Sequence, residues 1–292
     1  MKYKFKIIAI LLMTAIMIIC PGCSHGESEI TILTNDTENI TDETVSATDT
    51  TILPDTTVVA NTTSTPDTTI SPETTVVPET TLPEELHSEL YVSGLTADNV
   101  LRFFSEVCLD AEYINSGDPS RVQKWTSPIY YMILGSPTDE DIATIEKMAG
   151  ILNGIDGFPG IYATSDHGAV NMRIHFCSEQ DFLSIMGSSF AGNDGGVTFW
   201  YSDNEIYNAR IAVRNDIDQN LRNSVIMEEI YNGLGPIQDT DLRADSIIYS
   251  GFSSPQELTA MDLLILRLLY HHSIKCGMDA EQCKTVISEL YY

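Results

Sequence analysis

From Ser24 to Glu85 the chain contains no Lys or Arg, thirteen Asp and Glu, and threonine as its commonest residue. A five-residue unit recurs at Pro54-Asp55-Thr56-Thr57-Val58, Pro66-Asp67-Thr68-Thr69-Ile70, Pro72-Glu73-Thr74-Thr75-Val76 and Pro78-Glu79-Thr80-Thr81-Leu82. Each unit carries one apolar residue or two, too few to offset the entropy of ordering it. The repeat is also far shorter than the 20 to 50 residues of a stacked repeat fold. Residues 24–86 therefore read as a disordered Thr/Pro-rich stalk. Proline and like charge would keep it extended, with a reach of about 200 Å at most. Any packed core must then come from residues 87–292, a length suited to one domain.

The residues before the stalk read as an address. Lys2, Lys4 and Lys6 precede an apolar run from Ile7 to Cys20. Fourteen residues fall short of the roughly 20 that span a bilayer. A basic start, a short apolar run and small residues after it describe a secretory signal over residues 1–23. The run ends in Cys20-Pro21-Gly22-Cys23, which resembles a bacterial lipobox. Gly22 and Cys23 fit that motif; Cys20 and Pro21 depart from its usual Leu and small residue. The resemblance implies that Cys23 becomes the first mature residue and carries a diacylglyceryl group. Two acyl chains anchor stably where one binds reversibly. The expected location is the extracytoplasmic face of a cell membrane, on a Gram-positive type of surface.

Charge narrows the partners. The whole chain carries -27, and the domain alone has 12 basic against 29 acidic residues. Phosphate binding needs a basic face, so nucleic acid is not an expected partner. The expected partners are the membrane, through Cys23, and a cell-wall or extracellular peptide or protein.

Within residues 87–292 the pattern is α+β: a small mixed sheet, a central helix and C-terminal helices. Thr96 is placed to cap a first helix running through Leu101, Phe104 and Cys108. Trp125 to Leu134 reads as one strand. Ser136-Pro137 opens a helix to about Leu152, with Pro at its first position. Ile161–Thr164 and Asn171–Cys177 read as a strand pair around Asp166-His167-Gly168. Ser178 to Met186 is a short helix. Val197–Tyr201 and Glu205–Val213 form a hairpin turning at Asp203-Asn204. A helix from about Gln219 to Leu234 follows, stopped by Gly235-Pro236. Two more occupy about 259–270 and 279–291. Four cysteines remain, Cys108, Cys177, Cys276 and Cys283. Buried free thiols are one reading. A disulfide is the other, with Cys276 and Cys283 the nearest couple among three pairings.

The helix near 219–234 is unusual. Leu221, Val225, Glu228 and Asn232 fall on one stripe, while Ile226, Met227, Ile230 and Leu234 fall opposite. A helix apolar on two sides is sandwiched within a domain. Glu228 and Glu229 then lie beside apolar neighbours, where unpaired charge is costly. The run Glu228-Glu229-Ile230-Tyr231-Asn232-Gly233-Leu234-Gly235 resembles the metzincin peptidase helix, H-E-x-x-H-x-x-G. Glu229 matches the general base and Gly235 the turn glycine. Glu228 and Asn232 replace the two metal histidines, and Gln238 stands at the third ligand, followed by Asp239. Ser246-Ile247-Ile248-Tyr249 resembles the Met-turn of such peptidases, with Ile248 in place of Met. The wider pattern is similar to domain-of-unknown-function family 2927, whose members look like degenerate metzincins among bacterial lipoproteins. Trp125 with Pro128-Ile129, Pro159-Gly160, Ala209, the Glu228–Gly235 run, Ser246-Ile247 and Leu269-Tyr270 through Gly277-Met278 carry that resemblance.

The departures set the expected chemistry. A zinc peptidase needs three protein ligands and an open water position. None of the six His is in the helix, and an Asn amide is a poor zinc ligand. No cofactor is expected. Glu228, Asn232 and Asp239 would make an oxygen set, suited to calcium, magnesium or manganese rather than zinc. Without metal-activated water, Glu229 has little to activate. His271-His272 end a helix, where they would complement its dipole. Asp216-x-Asp218-x-Asn220 opens like a calcium loop but has Leu221 at the glycine position, so it reads as a helix cap. Two functions remain. One is a non-catalytic surface domain that holds an extended peptide in a cleft or along an edge strand. The other is a hydrolase using Glu229 with an unorthodox metal site.

Overall fold

A mixed sheet with helices on both faces organises the domain. The computed structural model describes residues 28–33, 90–109 and 121–291. These belong to one unit, made of residues 1–38 and 87–292; a second unit, 39–86, lies outside the described residues. The signal segment, Cys23 and the rest of the stalk lie outside them as well.

The strands are β1 (Ser28–Leu33), β2 (Lys124–Trp125), β3 (Ile129–Gly135), β4 (Ile161–Ala163), β5 (Met172–Cys177), β6 (Gly195–Ser202) and β7 (Glu205–Arg214). The helices are α1 (Ala97–Leu109), α2 (Asp139–Asn153), α3 (Glu179–Met186), α4 (Gln219–Asn232), α5 (Ala260–Tyr270) and α6 (Ala280–Leu290). Strand order is β1-β6-β7-β5-β3-β4, and β2 pairs β7 off this path. Strands β4, β3, β5 and β7 are parallel neighbours, whereas β6 runs antiparallel to β7 and β1 antiparallel to β6. Among the described residues, no helix is long and apolar enough to cross a membrane.

Several expectations are corrected. The strand expected over Trp125–Leu134 is two strands, because Thr126-Ser127-Pro128 interrupts it and proline has no ladder donor. Strands β4 and β5 do not pair with each other; each lies parallel to β3, on opposite sides of it. Pro137 precedes helix α2 instead of opening it. Thr138 is the cap, in a reciprocal capping box with Asp141. Ser28–Leu33, assigned to the stalk by composition, is an edge strand of the sheet. Its Ile30 and Ile32 alternate with Glu29 and Thr31, a two-residue period that the surrounding threonine hides.

Local chemistry explains the helix starts. Ser178, Thr259 and Asp279 each accept a backbone N–H of the first turn, and Asp218 accepts that of Asn220. The β6–β7 turn places Asp203 at φ 51° and Asn204 at φ 65°, the left-handed pair a tight hairpin requires. Along β7, Ala209, Ile211 and Val213 enter the main core, while Ala212 joins a small cluster with Cys177, Phe182, Met186 and Phe190 under α3. This alternation puts α4 on one face of the sheet and α3 on the other. Residues Arg222 through Asn232 of α4 are all buried, as a sandwiched helix requires.

Candidate functional site

Helix α4 carries the residues singled out by sequence. Glu228 is nearly buried, and Glu229 and Asn232 are 0% exposed. Glu229 lies against the start of β6: a Cβ added to Gly195 would sit 2.9 Å from its Oε1 and 2.3 Å from Cγ1 of Val225. Glycine at 195 thus lets the helix approach the sheet closely enough to seat the carboxylate there. Asn232 lies one turn beyond Glu228, and neither atom of its amide has a hydrogen-bond partner among the described residues. An unpaired buried amide is costly and calls for water or another polar group beside it.

The end of α4 is fastened on three sides. Trp125 Nε1 donates to Gly233 O at 2.9 Å, and Tyr270 Oη donates to Leu234 O at 2.8 Å. Tyr231 Oη donates to Asp262 O at 3.0 Å. Gly235 then turns at φ 126°, and a side chain there would meet Gln123 O at 2.2 Å. The turn assigned to Gly235 by sequence is therefore one that only glycine can make.

After the turn, the chain is bonded to α1. Ile237 and Gln238 both donate their N–H to Val107 O of α1, at 2.7 and 3.2 Å. Thr240 Oγ1 donates to Glu106 Oε1 at 2.7 Å. Gln238 and Asp239 are half-buried on this stretch. Among the described residues, no three His, Cys, Asp or Glu side chains gather about one point as metal ligands would. Ser246-Ile247-Ile248 is a buried turn, fixed by Asp262 at the start of α5. Ser246 Oγ donates to Oδ1 at 2.5 Å, and the Ile247 N–H donates to Oδ2 at 3.3 Å.

The remaining polar candidates fall elsewhere. His167 lies on an exposed turn and His175 on β5. Burial, then the neighbouring His272, push His271 at the end of α5 below the usual imidazole value, against the cationic role expected of it. Lys124 places a cation there, donating to Leu269 O at 2.7 Å and to Ile274 O at 2.6 Å. Burial lowers its ammonium to about 8. Lys124, Trp125, Glu205, Tyr270, His272 and Cys276 line a cavity of about 450 Å³. Sequence reading missed it; a lysine next to tryptophan at the start of a strand was its only signal. The four cysteines of the domain are free. Cys276 and Cys283 are not bonded: Cys283 is buried on α6, whereas the Cys276 thiol is directed to Lys124 O at 3.8 Å.

The sheet ends at β4 on one side and at β1, which covers β6, on the other. Strand β4 is three residues long. Strand β6 is eight residues, Gly-Gly-Val-Thr-Phe-Trp-Tyr-Ser, with neither charge nor proline. Short length protects β4 from unwanted pairing; β6 lacks charge and proline, carries a register irregularity between Trp200 and Tyr201, and is covered by β1.

A family model described as a protein of unknown function, DUF2927, matches residues 97–289. No curated protein matches the chain.

Proposed function

The chain belongs to the DUF2927 family, and from its own geometry we propose that it is a lipid-anchored surface domain that binds an extended peptide along β6. The observation that carries this reading is the β6 margin. Its eight residues are uncharged, and six of them, Gly196 to Tyr201, accept a further strand in antiparallel register, that of Ser28–Leu33. Strand addition takes its affinity from backbone hydrogen bonds and its selectivity from alternate side chains. Burial of Glu229 and Asn232 favours binding over hydrolysis, because a general base must come within about 3 Å of the proton it takes.

The order of parts supports the reading of a degenerate metzincin. A mixed sheet leads into α4 with the Glu228–Gly235 run; the Ser246–Tyr249 turn and α5 follow. In that reading Glu229 is a relic of the general base, seated against Gly195. The membrane anchor rests on Cys20-Pro21-Gly22-Cys23 alone.

Two assays on the full chain test the proposal. Cys23→Ala is expected to move the protein from the membrane fraction to the soluble fraction and to abolish lipid labelling. In a broad peptide-cleavage screen, wild type and Glu229→Gln are expected to be alike, at background. Chelator-sensitive cleavage that disappears in Glu229→Gln would establish the hydrolase instead. Membrane retention of Cys23→Ala would overturn the anchor.

A further inference from the structure

Lys124 is 8% exposed, and among the described residues no acid is paired with it. Its ammonium has three N–H donors, and the carbonyls of Leu269 and Ile274 take two of them. The Tyr270 ring lies beside it, with the centroid 5.6 Å from Nζ. Carbonyls and a ring solvate the cation but bring no net negative charge. Glu205 is its parallel register neighbour across β2 and β7, one strand spacing away. That carboxylate instead accepts the Thr126 hydroxyl at 2.7 Å. Besides burial, the groups that act on the Lys124 charge are Cys276, Lys275 and Cys283, none of them a carboxylate. Buried charges are ordinarily paired, so this one lacks a counter-ion.

The cavity beside Lys124, of about 450 Å³, falls within the size range of small-molecule sites. Lys275 and His272 line it too, and both are exposed. Two lysines and a histidine thus meet at one place on a domain with 12 basic against 29 acidic residues. Trp125, Tyr270 and Ile274 make the apolar part of the wall. Trp125 and Tyr270 donate their polar hydrogens to the carbonyls of Gly233 and Leu234, which leaves ring carbon for the cavity. A ligand matched to this wall carries one negative charge and an apolar body. A dianion would exceed the single buried positive charge and would meet Glu205 on the same wall.

We propose that this cavity binds a small organic carboxylate, its negative charge compensating Lys124 and its apolar part lying against Trp125, Tyr270 and Ile274. Lys275 and His272 add attraction from their exposed positions. Lys124 also joins β2 to the end of α5 and to Ile274 beyond it, so a ligand held there stabilises the folded domain. The carboxylate is that of a free organic acid or of a peptide C-terminus, which share this chemistry and differ in size. The site is separate from the β6 margin and does not depend on peptide binding there.

The test is amide NMR of the full chain in detergent at neutral pH. The probes are isovalerate, acetyl-Ala-Leu with a free C-terminus, the uncharged amide of each, and inorganic phosphate. Saturable shifts are expected at Lys124, Trp125, Tyr270 and Ile274 to Cys276 with at least one of the two acids. Its amide is expected to bind about tenfold more weakly or worse, since a charge-assisted bond is lost. Phosphate is expected to leave these positions unmoved. Lys275→Ala, at an exposed position, is expected to keep the fold and to weaken binding about threefold. Lys124→Met is expected to abolish binding; if it does not fold, Lys275→Ala and the amide comparison decide. Binding of isovalerate but not the peptide assigns a free acid, and binding of the peptide assigns a chain terminus as well. No saturable shift with either acid would overturn the proposal. So would equal binding of acid and amide, phosphate binding as tight as the acid, or unchanged affinity in Lys275→Ala.

Discussion

Replacing Arg222 by Met is expected to destabilise the domain by about 3–5 kcal/mol, read as a lower urea midpoint at unchanged slope. Arg222 Nε donates to Asp141 Oδ1 at 2.8 Å, and Asp141 is 0% exposed. The same guanidinium donates to Asn215 O at 2.8 Å, to Ile217 O at 3.2 Å and to Gln219 Oε1. It thereby joins the start of α4 both to α2 and to the end of β7. Methionine fills similar volume but leaves a buried carboxylate facing no cation and two carbonyls without these donors. The pH dependence gives a second readout. Burial alone would push the Asp141 carboxyl up, but bonds from Thr138, Arg222 and Gln219 outweigh it and hold the group below the usual value. A carboxyl lowered on folding contributes stability above its unfolded pKa and loses that contribution as pH falls through its folded one. Loss of Arg222 removes part of that lowering. The difference between wild type and Arg222→Met is therefore expected to shrink in acid, below the ordinary Asp range. A constant difference from pH 7 down to pH 3 would contradict this account of the pair.

Asp262→Ala is expected to cost about 3 kcal/mol or more, because one side chain serves two structures. As the partner of the cap on α5, Asp262 accepts the N–H and hydroxyl of Thr259, both at 2.8 Å. It also accepts from Ser246 Oγ and the Ile247 N–H, holding the buried turn against the start of α5. Alanine leaves the buried Ser246 hydroxyl and Ile247 amide without their acceptor. Thr259→Ala removes only the capping side chain and is expected to cost about 1 kcal/mol. Chemical denaturation of both variants separates the roles: equal losses would mean that the turn contributes nothing through Asp262.

Much of the helical framework was legible because capping is local chemistry. Ser178, Thr259 and Asp279 stand within three residues of the N–H groups they satisfy, and Asp203-Asn204 marks its hairpin in two residues. The burial of α4 was legible from its two apolar sides. What stayed hidden is non-local. Parallel pairing of β4 and β5 to β3 leaves no local sign of which strands meet. Asp141 and Arg222 are 81 positions apart. The strand at 28–33 sits inside a threonine-rich stretch whose composition argued against any structure. At the site, sequence placed Glu228, Glu229 and Asn232 on one buried helix and Gly235 at a turn. It did not reveal that Gly195 lets Glu229 rest against β6, or that α1 draws residues 237–240 toward itself. Those are properties of packing between distant segments, as is the seating of Lys124 on the end of α5.

The binding role of the β6 margin is tested most directly by amide NMR of the chain carrying Ile30→Pro and Thr31→Pro, titrated with capped Ser-Glu-Ile-Thr-Ile-Leu. The account predicts saturable shifts concentrated on Gly195–Ser202, and none with the same peptide bearing proline at its third and fourth positions. Absence of saturable binding, or shifts confined to residues away from β6, would contradict it.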